Sequence, residues 1–341
     1  MLVMGIESSC DETACAIVND KREILSSVVW SQFEEHRRFG GVVPEIAARA
    51  HLEQVDLIVQ EAMTEAKVDF DDLSAVAVAG GPGLIGGVIV GVMTAKAIAM
   101  AHQLPFVAVN HLEGHALMAR LTNDVAFPYL LLLVSGGHCQ ILAVEAPGQY
   151  VRLGGTIDDS AGEAFDKVAK MLQVGYPGGP NIERVAVYGD PKRFALPRPM
   201  KGRDDCLFSF SGLKTAVRHQ IEVLGTLTEQ DKADLAASFQ QAVIESVIDR
   251  LKHGIALFKE KYPDAKDLVV SGGVAANCAL REAIENLART RQMTFAAPPL
   301  KLCTDNGVMI AWAGLERFKN GKTSSLDFKA RPRWPLDSDD I

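Results

Sequence analysis

Residues 2–19 read LVMGIESSCDETACAIVN and residues 129–145 read YLLLLVSGGHCQILAVE. In both stretches, two apolar runs flank a short turn of small and polar residues. A second pair follows in the same order, AVAVAGGPG at 75–83 and LVVSGGVAAN at 268–277, where an apolar run ends in a glycine-rich turn. This repetition predicts two similar halves. Free backbone N–H groups in such turns can surround an anion, which favours phosphate binding, although hairpins also use serine and glycine for their turns alone.

The length and composition limit the class of protein. The chain has 341 residues, which predicts about two domains, and its 48% hydrophobic and 23% charged content is typical of a soluble globular protein. No apolar run reaches the about 18 residues that a membrane span requires. The chain opens on a predicted strand, so we expect no cleaved signal. Six cysteines without CxxC spacing favour reduced thiols and a cytoplasmic protein.

The charge distribution leaves room for a nucleic-acid partner. A net charge of −8 argues against broad, nonspecific binding to nucleic acid or anionic lipid. Two local basic clusters remain, one in the proline-rich loop from Lys192 to Arg203 and one formed by Lys329, Arg331 and Arg333. Either cluster is compatible with solvated surface or with a contact to a phosphate backbone.

Hydrophobic periodicity predicts alternating strands and helices. We expect strands at 2–8, 13–18, 24–30, 75–79, 105–109, 129–135, 138–145, 149–155 and 267–271. We expect helices at 45–66, 84–101, from 111, 161–173, 231–260, from 275 and 306–319. Hairpins followed by strand–helix crossovers predict an α/β fold with a mixed sheet in each half. Irregular structure is expected at 176–215, and a poorly ordered tail beyond 331 except around 333–335.

The sequence HLEGH at 111–115 is a candidate metal site. Histidines four residues apart on a helix differ by about 40° of rotation and one turn of rise, which suits two ligands of one metal ion. The same spacing also occurs without a metal. Asp305, just before the last predicted helix, is the best candidate for a third ligand, although aspartate is also a common helix cap.

Three other chemistries fit less well. An HExxH zinc protease needs the glutamate directly after the first histidine, whereas Glu113 lies two residues on and points away. GPGLIG at 81–86 matches GxGxxG, but the expected acidic residue after the next strand is replaced by Asn110. Ser211 and Lys214 spell SxxK without the partner motifs of an acyl-enzyme serine hydrolase.

Two further stretches suit a nucleotide. In GGTIDDSAGEAFDK at 154–167, Asp166 can accept from a ribose hydroxyl or an amine, or pair locally with Lys170. The stretch PGGPNIE at 177–183 supplies glycine backbone, which a base or ribose can approach closely.

Taken together, ten motifs resemble those of the bacterial tRNA threonylcarbamoyladenosine transferases, the TsaD family, once labelled O-sialoglycoprotein endopeptidases. The resemblance covers residues 2 to about 335 in the family's own order. The motifs are GIESSCDET at 5–13, GGVVPE at 40–45, GPGLIG at 81–86, HLEGH at 111–115, VSGGH at 134–138, GEAFDK at 162–167, YPGGP at 176–180, FSFSGLKT at 208–215, SGGV at 271–274 and CTDN at 303–306.

The resemblance implies the actin/Hsp70/sugar-kinase (ASKHA) fold, with two similar mixed-sheet lobes around a nucleotide cleft. We expect the lobes at 1–120 and 121–341, with the last helix packed on either. The resemblance also implies that His111, His115 and Asp305 hold one divalent ion, with iron favoured over zinc. The residues implied to bind the adenylate substrate are Leu133, Val134, Ser135, Gly136, Gly137, Asp166, Gly179, Glu183 and Asn277.

The implied reaction is an acyl transfer. The threonylcarbamoyl group would pass from threonylcarbamoyl-AMP to the N6 amine of the adenosine 3′ of the anticodon, in tRNAs that read codons beginning with A, with release of AMP. Such an anhydride is already activated, so the enzyme mainly positions the amine and stabilises developing negative charge. Glu12, with Asp11 beside it, is our candidate for orienting the nucleophile or taking its proton.

The implied partners are tRNA, a paralogous TsaB-type subunit, a TsaE-type ATPase and a TsaC-type adenylate-forming enzyme. Because the chain is acidic, we expect it to bind tRNA poorly alone, and we expect the basic loop with Arg198, Lys201 and Arg203 to contact tRNA phosphates. Two alternatives remain open: an ATPase or kinase on the same fold, and a noncatalytic scaffold of a tRNA-modifying complex.

Overall fold

The computed structural model describes residues 1–37, 39 and 41–337. Gly40, the first residue of the 40–45 motif, and residues 338–341 of the predicted second lobe lie outside the described residues. Contacts divide the chain into two compact units. Unit 1 comprises Met1–Asp124, Ala146–Tyr150 and the chain from Thr304 onward, and unit 2 comprises Val125–Glu145 and Val151–Cys303.

Strands and helices alternate along the chain as the hydrophobic pattern predicts. In chain order the elements are β1 (Leu2–Glu7), β2 (Glu12–Asn19), β3 (Ile24–Ser31), α1 (Phe33–Arg37), α2 (Pro44–Ala66), β4 (Ala75–Gly81), α3 (Ile85–Ala101), β5 (Phe106–Asn110), α4 (His111–Thr122), β6 (Tyr129–Val134), β7 (Cys139–Ala146), β8 (Gln149–Gly155), α5 (Ala161–Leu172), α6 (Gly178–Ala186), α7 (Ser211–Leu224), α8 (Glu229–Lys261), β9 (Asp267–Ser271), α9 (Cys278–Thr290), β10 (Thr294–Ala296) and α10 (Gly307–Lys319).

The two sheets have the same topology. The first is ordered β3-β2-β1-β4-β5 and the second β8-β7-β6-β9-β10. In each, an antiparallel hairpin (β1–β2 or β6–β7) lies beside parallel strands (β4 and β5, or β9 and β10). This identity confirms the internal repeat predicted from the sequence.

Each sheet is covered by helices. In unit 1, buried residues of α2 and α3 form one core with β1, β2 and β4, and α10 packs closely on β1. In unit 2, α5, α8 and α9 contribute to the core, where the rings of Phe165 and Phe239 meet edge to face at 5.1 Å. The contacts of α10 assign it to unit 1, one of the two placements that the sequence left open. Within the described residues, no helix combines the length and hydropathy that crossing a membrane requires.

The structure differs from the sequence prediction mainly inside 176–215, where irregular structure was expected. Helix α6 begins at Gly178 because the Asp166 carboxylate accepts its N–H at 2.7 Å, and α7 begins at Ser211. Helix α9 begins at Cys278 instead of 275, because a 3₁₀ turn over Gly273–Ala276 precedes it. Trp334 is buried, within the segment 333–335 that was excepted from the predicted poorly ordered tail, and the order extends to Leu336, which is also buried.

Glycine contacts on β1 predict a large difference between two similar substitutions. A Cβ atom on Gly5 would lie 2.2 Å from the Ala311 backbone nitrogen of α10, whereas one on Gly212 would meet no atom within 4 Å. We expect Gly5→Ala to lower the free energy of unfolding by about 1–3 kcal/mol, because α10 must move. Gly212→Ala, the matched control, should be neutral or slightly stabilising. Urea unfolding monitored by circular dichroism measures both, and equal effects would contradict the packing of α10 on β1.

Candidate metal centre and anion-binding turns

The histidine pair lies at the carboxyl edge of the first sheet. Strand β5 ends at Asn110, whose side-chain oxygen accepts the Leu112 N–H at 2.9 Å and so caps α4. His111 is therefore the first residue of α4, at the sheet edge where β1 and β4 also end. Both imidazoles are buried, and their ring centroids are 4.9 Å apart with the planes nearly perpendicular.

The structure brings the three predicted metal ligands together. The Oδ1 atom of Asp305 is 3.0 Å from Nε2 of His115 and 3.6 Å from Nε2 of His111. One ligand atom from each residue lies within 4.8 Å of the others. Two imidazoles and one carboxylate around one point form a donor set that suits a divalent transition metal.

The alternative role of Asp305 as a helix cap is filled by its neighbour. The side chain of Asn306 accepts the Met309 N–H at 2.9 Å and caps α10. The carboxylate of Asp305 is directed at the two imidazoles instead. This division of roles favours Asp305 as a ligand.

Glu7 and Ser9 are functional candidates that the sequence analysis missed. Oε2 of Glu7 accepts the Nδ1–H of His111 at 2.9 Å, its Oε1 accepts the Ser9 N–H, and the Ser9 hydroxyl lies 2.9 Å from the same Nδ1. A proton held at Nδ1 leaves the Nε2 lone pair of His111 available to a metal ion. The signal was present in the sequence, since Glu7 ends β1 and His111 follows β5, and the carboxyl ends of parallel strands in one sheet meet at one edge.

Carboxylates are concentrated around this point. Burial, together with the charges of Asp305 and Asp11, raises the pKa of Glu12 well above its ordinary value. Burial lowers the pKa of His111, but the carboxylates of Asp305 and Glu7 outweigh it and raise the value from 6.5 to about 9. Clustered, buried carboxylates repel one another when ionised, and a bound cation stabilises their charged forms. The residues present therefore fit a divalent metal ion.

Glu113 does not belong to the site. It is buried, and its Oε2 atom is 2.7 Å from Nε and 2.6 Å from Nη2 of Arg317 on α10. A zinc protease would need this carboxylate beside the metal-bound water. Glu113 instead joins α4 to α10, the two helices next to the metal ligands.

The GPGLIG loop at 81–86 is covered by the C-terminal segment of the same unit. The Gly83 N–H donates to the Pro332 carbonyl at 3.2 Å, and the Arg331 N–H donates to the Gly80 carbonyl at 2.9 Å. Gly81 has a φ of +129°, and a Cβ atom there would lie 1.8 Å from the Arg331 carbonyl oxygen. The loop therefore has no space for a dinucleotide phosphate.

The corresponding turns of unit 2 are open. The turn Ser135–Gly137 follows β6, and Cβ atoms on Gly136 or Gly137 would meet nothing within 4 Å. The second Ser-Gly-Gly turn, which follows β9, lies against the Val134 carbonyl. Only glycine fits there, because Gly272 has a φ of +96° and a Cβ atom on it would lie 2.4 Å from the Val134 carbonyl oxygen. The two predicted anion-binding turns are thus neighbours in one unit. Leu133 and Val134 have buried side chains, so only their backbone is available to a ligand.

The three other predicted adenylate ligands with functional side chains each accept a hydrogen bond from the first turn of a helix. Asp166 accepts the first N–H of α6, and Glu183 accepts the Cys278 N–H of α9 at 2.7 Å. Asn277 caps α9 by accepting the Leu280 N–H at 2.9 Å and donates to Gln240 at 2.8 Å. At Gly179, on the first turn of α6, a Cβ would again meet nothing within 4 Å. The first N–H groups of α6 and α9 are therefore taken by protein carboxylates, and the accessible glycine backbone is what this region offers to a ligand.

The SxxK pattern has a structural explanation. The ammonium of Lys214 lies 2.7 Å from Asp159, and the Asp158 carboxylate accepts the N–H groups of Phe210 and Ser211 at 2.8 and 3.3 Å. These contacts start α7 and tie it to the turn before α5. Lys214 is therefore paired with an acid, which argues against its service as the base of a serine nucleophile.

Comparison with known proteins identifies close relatives over the full length. The sequence profile described as "TsaD: tRNA N6-adenosine threonylcarbamoyltransferase" matches residues 23–312. The tRNA N6-adenosine threonylcarbamoyltransferase of Paramagnetospirillum magneticum is 64% identical over 338 residues, covering 99% of this chain and 97% of that protein. The enzyme of the same name from Rhodospirillum rubrum is 60% identical over 344 residues, covering 99% and 95%.

Solved structures with low sequence identity share the fold. HypF of T. kodakarensis superposes with a TM-score of 0.64 at 15% identity, covering 94% of this chain and 48% of that one. Component A of the Acidaminococcus fermentans (R)-2-hydroxyglutaryl-CoA dehydratase gives 0.53 at 17% identity, covering 94% and 100%. These similarities confirm the predicted ASKHA fold class.

The buried pair between Glu113 and Arg317 makes a testable prediction. Glu113→Gln leaves the Arg317 charge buried without its carboxylate and should lower the free energy of unfolding by about 3–5 kcal/mol. The double variant Glu113→Met/Arg317→Met removes both charges and should recover most of that loss. Chemical denaturation of the single and double variants measures the coupling. If Glu113→Gln removed activity with unchanged stability, Glu113 would be a catalytic residue and the structural role would be wrong.

Proposed function

The chain belongs to the TsaD family of tRNA N6-adenosine threonylcarbamoyltransferases, and from this premise we propose which of its residues perform the transfer. As a member of the family it is an acyltransferase that modifies tRNA at the N6 amine of an adenosine. We propose threonylcarbamoyl-AMP as the donor and the adenosine 3′ of the anticodon, in tRNAs reading codons that begin with A, as the acceptor. The observation that carries the proposal is the convergence of His111, His115 and Asp305 within 4.8 Å.

The proposed cofactor is one iron ion held by His111, His115 and Asp305. Two histidines and one carboxylate with open positions are the ligand set that non-haem iron prefers, although imidazole also suits zinc. When bound, the ion supplies Lewis-acid stabilisation of negative charge on a phosphate or carbonyl oxygen. Glu7 supports this role because it holds the Nδ1 proton of His111 and so fixes the ring orientation.

Glu12 is the proposed proton acceptor. An environment that raises the pKa of a carboxyl group brings it closer to neutral pH, where a general base is most effective. Asp11 lies next to Glu12 in the β1–β2 turn, and both its charge and a side-chain hydrogen bond contribute to that raised pKa. We propose that this pair orients the N6 amine and receives its proton as the new bond forms.

The proposed adenylate site lies in unit 2. The amides of Ser135, Gly136 and Gly137 would hold phosphate or carbonyl oxygens, since the glycines leave the backbone accessible. Asp166, Glu183 and Asn277 would keep the starts of α6 and α9 in place beside it, with Gly179 approaching the nucleoside. An ATPase on the same fold would use similar turns, so the experiment must separate transfer from ATP turnover.

The outer face of α3 supports the proposed paralogous TsaB-type subunit. Ile85, Ile89, Met93 and Met100 follow one another at helical spacing and are 44–69% exposed. A helix that is apolar on all sides is normally buried, which indicates that a partner covers this face. We propose that the TsaB-type subunit docks there, that TsaE-type ATPase and TsaC-type adenylate-forming enzymes complete the system, and that it operates in the cytoplasm, where the six free cysteines stay reduced.

The metal ligands give a direct test of the function. His111→Ala and Asp305→Ala should each lose the ion and reduce modification by at least about 100-fold, because one missing ligand of three removes most of the affinity. His253→Ala in unit 2 is the matched control. Elemental analysis, circular dichroism and nucleoside mass spectrometry of tRNA from a reaction with tRNA, threonine, bicarbonate, ATP and the partner proteins measure these effects. Full metal content in either variant would contradict the ligand assignment, and ATP turnover without modified tRNA from the wild type would favour the ATPase.

The docking face makes a separate prediction. Ile89→Lys/Met93→Lys should abolish binding of the TsaB-type subunit, because two charges replace exposed apolar contacts, and should leave the folding stability nearly unchanged. Val223→Lys, at a residue that is 68% exposed in unit 2, is the control. Size-exclusion chromatography and calorimetry with the purified partner measure the interaction. Unchanged affinity of the double variant would show that the partner binds elsewhere.

A further inference from the structure

The two basic clusters of this acidic chain differ in their partners. Four of the five cations in the loop at 192–203 lie within 3.3 Å of a carboxylate oxygen, namely Arg193, Arg198, Lys201 and Arg203. Arg193 pairs with Asp231 and Asp234, and Arg203 pairs with Asp205. Arg198 and Lys201 both pair with Glu245. Because its charge is largely neutralised, this loop is a weaker candidate for phosphate contacts than its sequence suggested.

The second cluster lies in residues 328–336, which we call the C-terminal strap. It carries Lys329, Arg331 and Arg333 and contains no acidic residue. Lys329 and Arg333 are exposed, and no carboxylate of the described residues forms an ion pair with either. The guanidinium of Arg331 lies 5.5 Å from the ring centroid of Phe328 and 4.8 Å from that of Trp334. Such stacking on aromatic rings orders the Arg331 side chain.

The strap is fixed at the sheet edge that carries the metal ligands. The Lys96 ammonium donates to the Phe328 carbonyl at 2.6 Å, and Asn110 Nδ2 donates to the Trp334 carbonyl at 2.9 Å. Trp334 is only 4% exposed. Asn110, which holds the strap through Trp334, is the residue directly before the proposed metal ligand His111. The backbone that carries Lys329 and Arg333 is therefore fixed on unit 1, near the proposed reaction centre.

We propose that the C-terminal strap binds the phosphate backbone of the tRNA substrate beside the reacting adenosine, through Lys329 and Arg333. The inference rests on the tRNA-modifying function proposed above. Each phosphate that a cation neutralises releases about one counterion, so a short row of ordered cations adds affinity even to a chain of net negative charge. Backbone contacts of this kind position the RNA without reading its sequence.

The test compares the strap with the neutralised loop. Lys329→Gln/Arg333→Gln and the control Arg198→Gln/Lys201→Gln each remove two positive charges. In the complete modification reaction at several KCl concentrations, the strap variant should raise KM for tRNA by at least about fivefold at ~0.15 M salt and leave kcat nearly unchanged. The negative slope of log kcat/KM against log salt should become shallower by about one to two, because two phosphate contacts are lost. The loop variant should change both quantities much less.

The outcomes separate this inference from the function itself. Both strap residues are exposed, so folding should be preserved, and metal content and hydrolysis of the adenylate should equal those of the wild type. An active wild type with unchanged KM and salt slope in the strap variant would overturn the inference and leave the function standing. An inactive wild type would contradict the function, and the salt dependence of tRNA binding, measured by fluorescence anisotropy with the same variants, would then decide the role of the strap. A larger effect of the loop variant in either assay would also overturn it.

Discussion

The whole structure depends on one pairing, a parallel strand that lies beside the first strand of a hairpin. In unit 1 this is β4 beside β1, with Val3 opposite Ala75, and in unit 2 it is β9 beside β6, with Leu130 opposite Leu268. Parallel pairing brings the carboxyl ends of both strands to one edge, so the hairpin turn and the glycine-rich turn must be neighbours. Glycine makes that approach possible, since a Cβ on Gly83 or Gly272 would lie 2.4 Å from a carbonyl oxygen of the adjoining turn.

From this shared geometry the two units have diverged in chemistry. In unit 1, the strand ends carry Glu7, Asp11, Glu12 and His111, and the neighbouring glycine turn is filled by Arg331 and Pro332. In unit 2, a Cβ atom on Gly136, Gly137 or Gly273 of the equivalent turns would meet nothing within 4 Å. The repeat therefore yields one acidic, metal-compatible centre and one pair of glycine turns that we propose to bind an anion, whereas two copies of the same site would have been expected from duplication alone.

The sequence predicted the elements that local pattern determines and missed those that distant contacts determine. The strands, the long helices, the histidine pair and Asp305 follow from periodicity and spacing. Helix α6 was missed because its start depends on Asp166, twelve residues earlier, and the glycines at 178 and 179 favour a turn in isolation. Glu7 was missed because its partner, His111, is 104 residues away. The pairing of the basic loop with α8 was equally invisible, since charge counts do not show which acid each cation meets.

The discontinuity of unit 1 has a consequence for biosynthesis. Its sheet is complete once β5 has been made, yet Asp305, Arg317 and the whole of α10 come from the last part of the chain. At a translation rate of about 5–20 residues per second, the intervening stretch delays α10 by roughly 10–40 s. During that interval the surface of β1 around Gly5 is not covered by α10, and the Glu113 carboxylate lacks its ion-pair partner Arg317. The amino-terminal unit therefore begins to fold before α10 has been made, and the apolar surface of its sheet stays accessible to chaperones and proteases until α10 covers it.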